Sequence, residues 1–437
     1  MPITEIRLRN FRCFADSRPI PIKPLTVVFG RNNSGKSSIL YSLLLLRQTL
    51  DSPEYGQRLN MRGPLYPAGT FADVVHQHFS KENITMEFGV RCSTPVVDCK
   101  LDLEFSSGEP QPPRLVRLSV DPGDGVRLEI RRGPGRGGPY ELLLDGKSLG
   151  GERAANFLFP VNQFLPLIGD EPPRRGRPSP KQDETRRTAR RILKEFEASL
   201  LGIRAVGAFR TAPERRYDYQ GRPPELVDLR GENVVHALIE DGTRRGKRPG
   251  ELLRAVNQWL SRVGRVKLMP LKRLSPTARL YEVRLRDIDS GRWANFADVG
   301  FGIGQAFPVL VEGLRTPIKG TFIVQEPEIH LHPDAQLAMA DFLITLARSR
   351  RNVIVETHSE AVLLRVRRAI LDTESHSGFG ANDVCVIHVS KQKDGSSVTR
   401  VLEVDQLGQI QDWPKGFMEE LTTERMAILE STARQSE

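Results

Sequence analysis

The octapeptide Gly30-Arg-Asn-Asn-Ser-Gly-Lys-Ser37 restricts the folds open to this chain more than any other stretch. It has the spacing of a phosphate-binding loop: two glycines let backbone N–H groups turn inward, a lysine follows the second, and a hydroxyl follows the lysine. Such a loop works between a strand and a helix whose positive end faces the phosphates. Leu25 to Phe29 is a short apolar run that reads as the strand, and Ser38 to Leu50 carries Leu40, Leu43, Leu44 and Leu46 as an apolar helical stripe. The pattern predicts an α/β fold that holds the phosphates of a nucleoside triphosphate through Gly30, Asn32, Asn33, Ser34, Gly35, Lys36, Ser37 and Ser38. Lys36 is expected to reach the β- and γ-phosphates, and the Ser37 hydroxyl to bind magnesium.

Around the loop the periodicity changes along the chain. Ile3 to Phe11 alternates like a strand, and from Ile84 to Leu149 five short strands (Ile84 to Arg91, Val97 to Phe105, Leu115 to Val120, Val126 to Ile130, Tyr140 to Leu144) are separated by turns such as Asp121-Pro-Gly-Asp-Gly125, which predicts an antiparallel meander. Gly169 to Pro180 is too poor in apolar residues to pack and reads as a mobile loop, followed by a helix from Glu184 to Leu201. The second half alternates strand and helix: Phe322 to Val324, Pro333 to Arg348, Val353 to Glu356, Glu360 to Leu371. That rhythm predicts a parallel sheet with crossover helices, closed by strands near Val384 to Val389 and Ser397 to Val404.

The net charge of +10 favours a polyanionic partner, although the arginine-rich pieces Arg174, Arg175, Arg177 and Arg186, Arg187, Arg190, Arg191 read equally well as solvated faces. No apolar run is long enough to cross a bilayer and the first residues carry charge where a secretory signal needs an apolar core, so a cytoplasmic protein without a membrane partner is expected. Cys13, Cys92, Cys99 and Cys385 lie far apart with no Cys-x-x-Cys pair, which points away from zinc sites and disulfide frameworks.

Hydrolysis of a bound triphosphate needs an acid at a strand end near the loop. Thr321-Phe-Ile-Val-Gln-Glu-Pro-Glu-Ile-His-Leu-His-Pro333 runs from a buried-type strand into Glu326, a candidate general base for water; the plain alternative is that Glu326 and Glu328 cap a helix. Val355-Glu-Thr-His-Ser359 ends a second strand at His358, a candidate sensor of the γ-phosphate. The distance in sequence between Lys36 and Glu326 implies a nucleotide-binding head split by inserted segments.

Taken together, Ile6-Arg-Leu-Arg-Asn-Phe-Arg12, the P-loop, Gly207 to Tyr217, Asp298-Val-Gly-Phe-Gly-Ile-Gly-Gln305, the block from Glu326 to Pro333 and Glu356-Thr-His-Ser359 resemble the ABC-class ATPases of the SMC, RecF and overcoming-lysogenization-defect group, often described as AAA-family ATPases. Asp412-Trp-Pro-Lys-Gly-Phe417 looks like the small C-terminal domain of one subgroup. The resemblance implies an α/β, split ABC-type ATPase head with a parallel core sheet, an antiparallel β meander and a helical insertion lobe. It divides the chain into 1–150, the first ATPase half with the P-loop; 151–275, a mainly helical lobe with a mobile basic loop at 169–183; 276–371, the second half; and 372–437, a small C-terminal domain. ATP and Mg2+ are the implied cofactors. Arg12 is implied to approach the phosphates, and Phe301 to Gln305 stands where the signature motif contacts ATP on a second subunit, through Gly302, Gly304 and Gln305. A head-to-head dimer or higher oligomer follows, glued by ATP and released by hydrolysis.

Two positions depart from the family pattern. Gly302 replaces the usual signature serine, and Gln325 stands where an aspartate usually steadies magnesium, so slow hydrolysis is expected. Gln77 is the candidate for the Q-loop glutamine. The residues after His358 contain no Asp-x-Asp pair of the kind a Toprim nuclease uses, so an effector nuclease is expected to be separately encoded, as in bacterial anti-phage defence. The alternatives are a RecF-like DNA-binding ATPase of repair or recombination, with Arg186, Arg187, Arg190 and Arg191 on the DNA, and a nucleotide-binding structural protein with negligible turnover.

Overall fold

The computed structural model describes residues 3–52, 56–78, 82–93, 96–108, 111–123, 125–133, 138–152, 157–158, 164–169, 179–219, 221, 228–243, 250–275, 279–372, 378–414, 424, 426–429 and 431–432. Most of the expected mobile loop and the end of the Asp412 to Phe417 motif lie outside these residues.

A six-stranded core sheet has the order Ile203–Val206, Thr321–Gln325, Asn352–Glu356, Leu25–Phe29, Val384–Lys391, Ser397–Leu402. The first five run parallel and only the last is antiparallel to its neighbour. Three central strands are buried along their whole length, because both faces of the sheet are covered. Alternate side chains serve different layers, as the period of two in a strand requires. Val28, Ile323, Ile354, Cys385 and Ile387 join one apolar cluster, whereas Val27, Phe29, Val324, Val353 and Val355 join another.

On the first face lies the P-loop helix, Lys36–Leu50, and over it a nine-stranded antiparallel sheet. Its strands follow the sequence order of the expected meander, from Ile84–Ser93 to Tyr140–Leu144, with one more, Lys147–Gly151, at the edge. Ile3–Phe11 pairs with Ile84–Ser93 and so belongs to the meander, not to the core sheet. The P-loop helix is buried nearly all round, including Leu45. The expected stripe is therefore a full apolar girth, which four consecutive leucines supply to a helix held between two sheets.

The helix expected at 184–201 begins at Pro180, where the Ser179 hydroxyl accepts from the Gln182 backbone N–H and the Gln182 side chain accepts from the Ser179 N–H. This reciprocal cap fixes the first turn, so residues 180–183 of the expected mobile loop are helical. The helix lies against the meander, with the Phe196 ring tilted against that of Phe88 at a centroid distance of 4.9 Å. Arg186 is 2% exposed, which removes it from the solvent-facing basic set and leaves Arg187 as its exposed neighbour.

Two boundaries drawn from sequence cut across the core. The stretch 151–275, expected as a mainly helical lobe, contributes the core strand Ile203–Val206, and 372–437, expected as a small separate domain, contributes Val384–Lys391 and Ser397–Leu402. The following Trp413 stacks on Phe29, the residue before the P-loop, at 5.0 Å. Helices Val234–Thr243, Glu251–Val263, Phe301–Arg315, Pro333–Arg348 and Glu360–Leu371 cover the second face.

Truncating Phe196 to Ala removes the ring that joins its helix to the meander, and urea unfolding is expected to show a loss of about 3–5 kcal/mol.

Candidate functional site

The five parallel strands end together, and the candidate residues collect at that edge, where open α/β sheets bind ligands. The P-loop leaves Leu25–Phe29 and turns into its helix at Gly35, whose φ is +101°. A Cβ there would lie 2.2 Å from the Cys13 sulfur, so both the backbone angle and the neighbour demand glycine. No side chain caps the helix and its first turn holds no acid, which leaves N-terminal N–H groups and their positive field open. Lys36 Nζ donates to the Gly30 and Arg31 carbonyls, both at 3.2 Å. Burial lowers the Lys36 pKa, and the nearby Glu356 and Glu326 work against that fall. The Ser34 hydroxyl is buried without a hydrogen-bond partner among the described residues. A buried orphan hydroxyl, a lysine folded back on loop carbonyls and an uncapped helix end fit a triphosphate. Asn32 and Asn33 lie exposed at the crest. Ser38 is turned away from the mouth, its hydroxyl 3.4 Å from the Cys13 sulfur.

Ser37 points to the neighbouring strand end. Its hydroxyl donates to Glu356 Oε1 at 2.8 Å, and the other oxygen, Oε2, accepts from Gln325 Nε2 at 2.8 Å. Gln325 and Glu356 are register partners on adjacent parallel strands. Glu356 stands in the Glu356-Thr-His-Ser359 motif, where sequence alone assigns it no role. The available signal was an amide where an acid is needed, with a glutamate ending the next strand.

Glu326 follows with φ +45°, a left-handed angle for a residue with a side chain, held by its N–H on the Glu356 carbonyl at 2.8 Å. Burial, the adjoining Glu328 and then Glu356 push its pKa up to about 8, against the pull of Lys36. Burial, and next Lys36, lower the pKa of His358. Its Nε2 is 3.3 Å from Glu326 Oε1. With one group shifted up and the other down, the contact at neutral pH is one between neutral groups, not an ion pair. Glu328 does act as a cap: Oε1 accepts from the backbone N–H groups of His358 at 3.0 Å and Ser359 at 3.1 Å, and from the Thr357 hydroxyl.

Arg210, also unassigned from sequence, locks this end of the sheet. Its guanidinium donates to the carbonyls of Gly207 (2.9 Å), Gln305 (3.0 Å), Gln325 (2.6 Å) and Glu326 (2.8 Å). Burial lowers its pKa to about 10, and it stays charged at neutral pH.

The segment at Gly300–Gln305 starts the helix Phe301–Arg315. Phe301 is exposed and packs edge-on against His330 at 4.9 Å. At Gly302 a Cβ would meet the His330 carbonyl oxygen at 2.4 Å. The missing signature serine is thus a packing requirement of the turn after Glu328. Gly304 lies against Pro213, and Gln305 is 3% exposed and bonded to Arg210. Both are interior, which corrects the expectation that they contact nucleotide on a second copy: the helix turns them toward Arg210 and Pro213. Arg12 sits over the rings of Tyr41 and Tyr66 and donates to the Tyr66 hydroxyl at 2.5 Å, so its guanidinium is engaged beside the P-loop helix. Gln77 is exposed, next to His76, whose ring contacts the Arg12 carbonyl at 2.9 Å.

A profile of the family described as "AAA domain, putative AbiEii toxin, Type IV TA system" matches residues 25–365. The chain belongs to this AAA-domain family. The matched span runs from the P-loop strand to beyond His358 and so takes in the whole strand-end cluster apart from Arg12 and Cys13. No curated protein matches. Solved structures that resemble this AAA domain include an Smc head bound to the C-terminal winged-helix domain of ScpA, with 14% identity, 92% and 98% of the two chains covered and a TM-score of 0.44. The SMC head domain of Thermotoga maritima matches with 12% identity over 92% and 100%, TM-score 0.41. The Smc head with an extended coiled coil, bound to the C-terminal domain of ScpA from Pyrococcus furiosus, matches with 13% identity over 99% and 100%, TM-score 0.45. Among the described residues no helix is long and apolar enough to cross a membrane.

Two outcomes follow from the geometry. Glu326 holds its proton in the folded, nucleotide-free protein from its ordinary value of 4.5 up to about 8, so stability present below pH 4.5 is lost as pH rises through that window. In chelator without nucleotide, the melting temperature of Glu326→Gln is expected to gain on the wild type steadily from pH 5 to about pH 8. Gly302→Ser drives a side chain into the His330 carbonyl and is expected to cost about 1–3 kcal/mol in urea unfolding.

Proposed function

We propose that this AAA domain binds Mg-ATP at Gly30 to Ser37 and hydrolyses it slowly, with ATP acting as a switch for head-to-head association of two copies. The observation that carries this is the convergence on one loop mouth of a buried lysine, Lys36, and a high-pKa carboxyl, Glu326, in contact with His358. Lys36 exchanges loop carbonyls for phosphate oxygens and neutralises charge that builds on the γ-phosphate. Glu326 takes the proton of the attacking water; a base whose pKa lies near neutrality combines availability with driving force. His358, neutral, positions Glu326 and can donate to the γ-phosphate once the ring shifts from it. Magnesium would be held at Ser37, with Gln325 beside it, and supplies charge neutralisation across the β- and γ-phosphates.

Association is supported by the surface near the site. Phe209, next to Arg210, is 90% exposed, and Phe301 at the start of the signature helix is 56% exposed, the kind of apolar groups a partner surface covers. Arg210 ties that helix to Gln325 and Glu326, so a contact at Phe301 is mechanically continuous with the hydrolytic acid. A second copy that touches the γ-phosphate adds affinity only in the closed state, and ATP then shifts the population toward it. The absent signature hydroxyl at Gly302 favours slow turnover. For setting, the family description names a toxin of a type IV toxin–antitoxin system, in keeping with a defence role beside a separately encoded effector.

Blocking hydrolysis with Glu326→Gln is expected to convert the protein to a dimer when Mg-ATP is added, read by light scattering after size exclusion, and Lys36→Ala is expected to remain monomeric. An ATP-loaded Glu326→Gln protein that stays monomeric at high concentration counts against the switch.

A further inference from the structure

Gln325 leaves the magnesium side of the site without the acid that an ATPase of this kind needs at that strand end. We propose that Glu356 supplies it: the carboxylate that steadies nucleotide-bound magnesium has moved one strand over, and Gln325 is the amide that orients it. This rests on the reading of the loop as a Mg-ATP site.

Magnesium is a hard cation that favours carboxylate and water oxygens over amides. Glu356 is 5% exposed, and a buried carboxylate persists only where its oxygens are satisfied. Here one oxygen is on the Ser37 hydroxyl and the other on the Gln325 amide, each at 2.8 Å. Ser37 Oγ is the atom the loop offers to the metal, so the carboxylate already stands one hydrogen bond from the metal position.

The strand order makes the exchange feasible. Asn352–Glu356 lies between Thr321–Gln325 and the P-loop strand Leu25–Phe29, so Glu356 starts nearer the loop than residue 325 does. Register pairing sets Gln325 and Glu356 side by side on one face. An acid at both positions would put two carboxylates within hydrogen-bond distance in a buried site, where they cannot both ionise. An amide at 325 removes that conflict and donates Nε2 to Oε2, which turns Oε1 toward Ser37. The glutamine is thus the partner that a glutamate at 356 requires. Glu326 faces the other way, onto His358 and Glu328, and keeps a separate role.

The test compares ATP affinity in magnesium and in EDTA by calorimetry, with the ratio of the two as the readout. Wild type is expected to bind more tightly in magnesium, and Glu356→Gln to lose about 10- to 100-fold of that ratio, the range for groups that orient metal sites. The exchanged double variant Gln325→Asp/Glu356→Gln is expected to recover most of it, because the acid returns to the neighbouring strand end. Mn2+ bound with ATP, followed by electron paramagnetic resonance, should report the same order. A Glu356→Gln protein with the wild-type melting temperature and the wild-type ratio overturns the proposal. Should Glu356→Gln fail to fold, a folded double variant without the recovered ratio overturns it instead. A wild type that binds ATP equally well with and without magnesium overturns the Mg-ATP reading itself, and a wild type with a magnesium-dependent ratio separates that failure from this one.

Discussion

Five parallel strands end on one edge of the core sheet, and the place of each charged group at the site follows from how those ends are matched. Val28 pairs with Glu356, and Glu356 with Gln325, so the loop, the buried glutamate and the amide meet without any of them lying near the others in sequence. A slip of one residue would turn each side chain to the opposite face of the sheet. The register is safe against this because both faces are buried. Val27 and Val28, or Val355 and Ile354, serve different apolar clusters and cannot exchange places without exposing or overpacking both.

That edge gathers Glu326, Glu328 and Glu356 with Lys36 and Arg210 in a space largely out of water. Most of the charge is handled by hydrogen bonds: Glu328 on the N–H groups ahead of the last crossover helix, Glu356 on Ser37 and Gln325, Arg210 on four carbonyls. Glu326 is the acid left with the least support, and it is the one pushed toward neutrality. Its left-handed backbone angle adds local strain at the same residue. Under the proposed mechanism both features fall on the residue that takes the proton of the attacking water.

Arg210 gives the cluster mechanical reach. Through four carbonyls it makes one rigid unit of the strand end at Gly207, the strand end at Gln325 and the helix that begins at Phe301. The closeness of Gly302 to the His330 carbonyl completes that unit. Against the family pattern the glycine is a missing serine; packing makes it a residue without which the turn after Glu328 could not lie against the helix.

The sequence by itself determined the P-loop, its flanking strand and helix, the meander strands and the placement of Glu326 and His358 at strand ends. Those features rest on local periodicity and on residue types at fixed short spacings, which a chain displays before it folds. Only the tertiary structure decided that Ile3–Phe11 joins the meander, that Ile203–Val206 and Val384–Lys391 complete the core sheet, and that Arg186 and Gln305 are interior. The bond from Ser37 to Glu356 joins residues 319 apart in the chain. Nothing in either neighbourhood specifies that meeting, which arises from strand order, register and the burial of both sheet faces. The P-loop is thus a local certainty, and the acid beside it a consequence of the whole sheet.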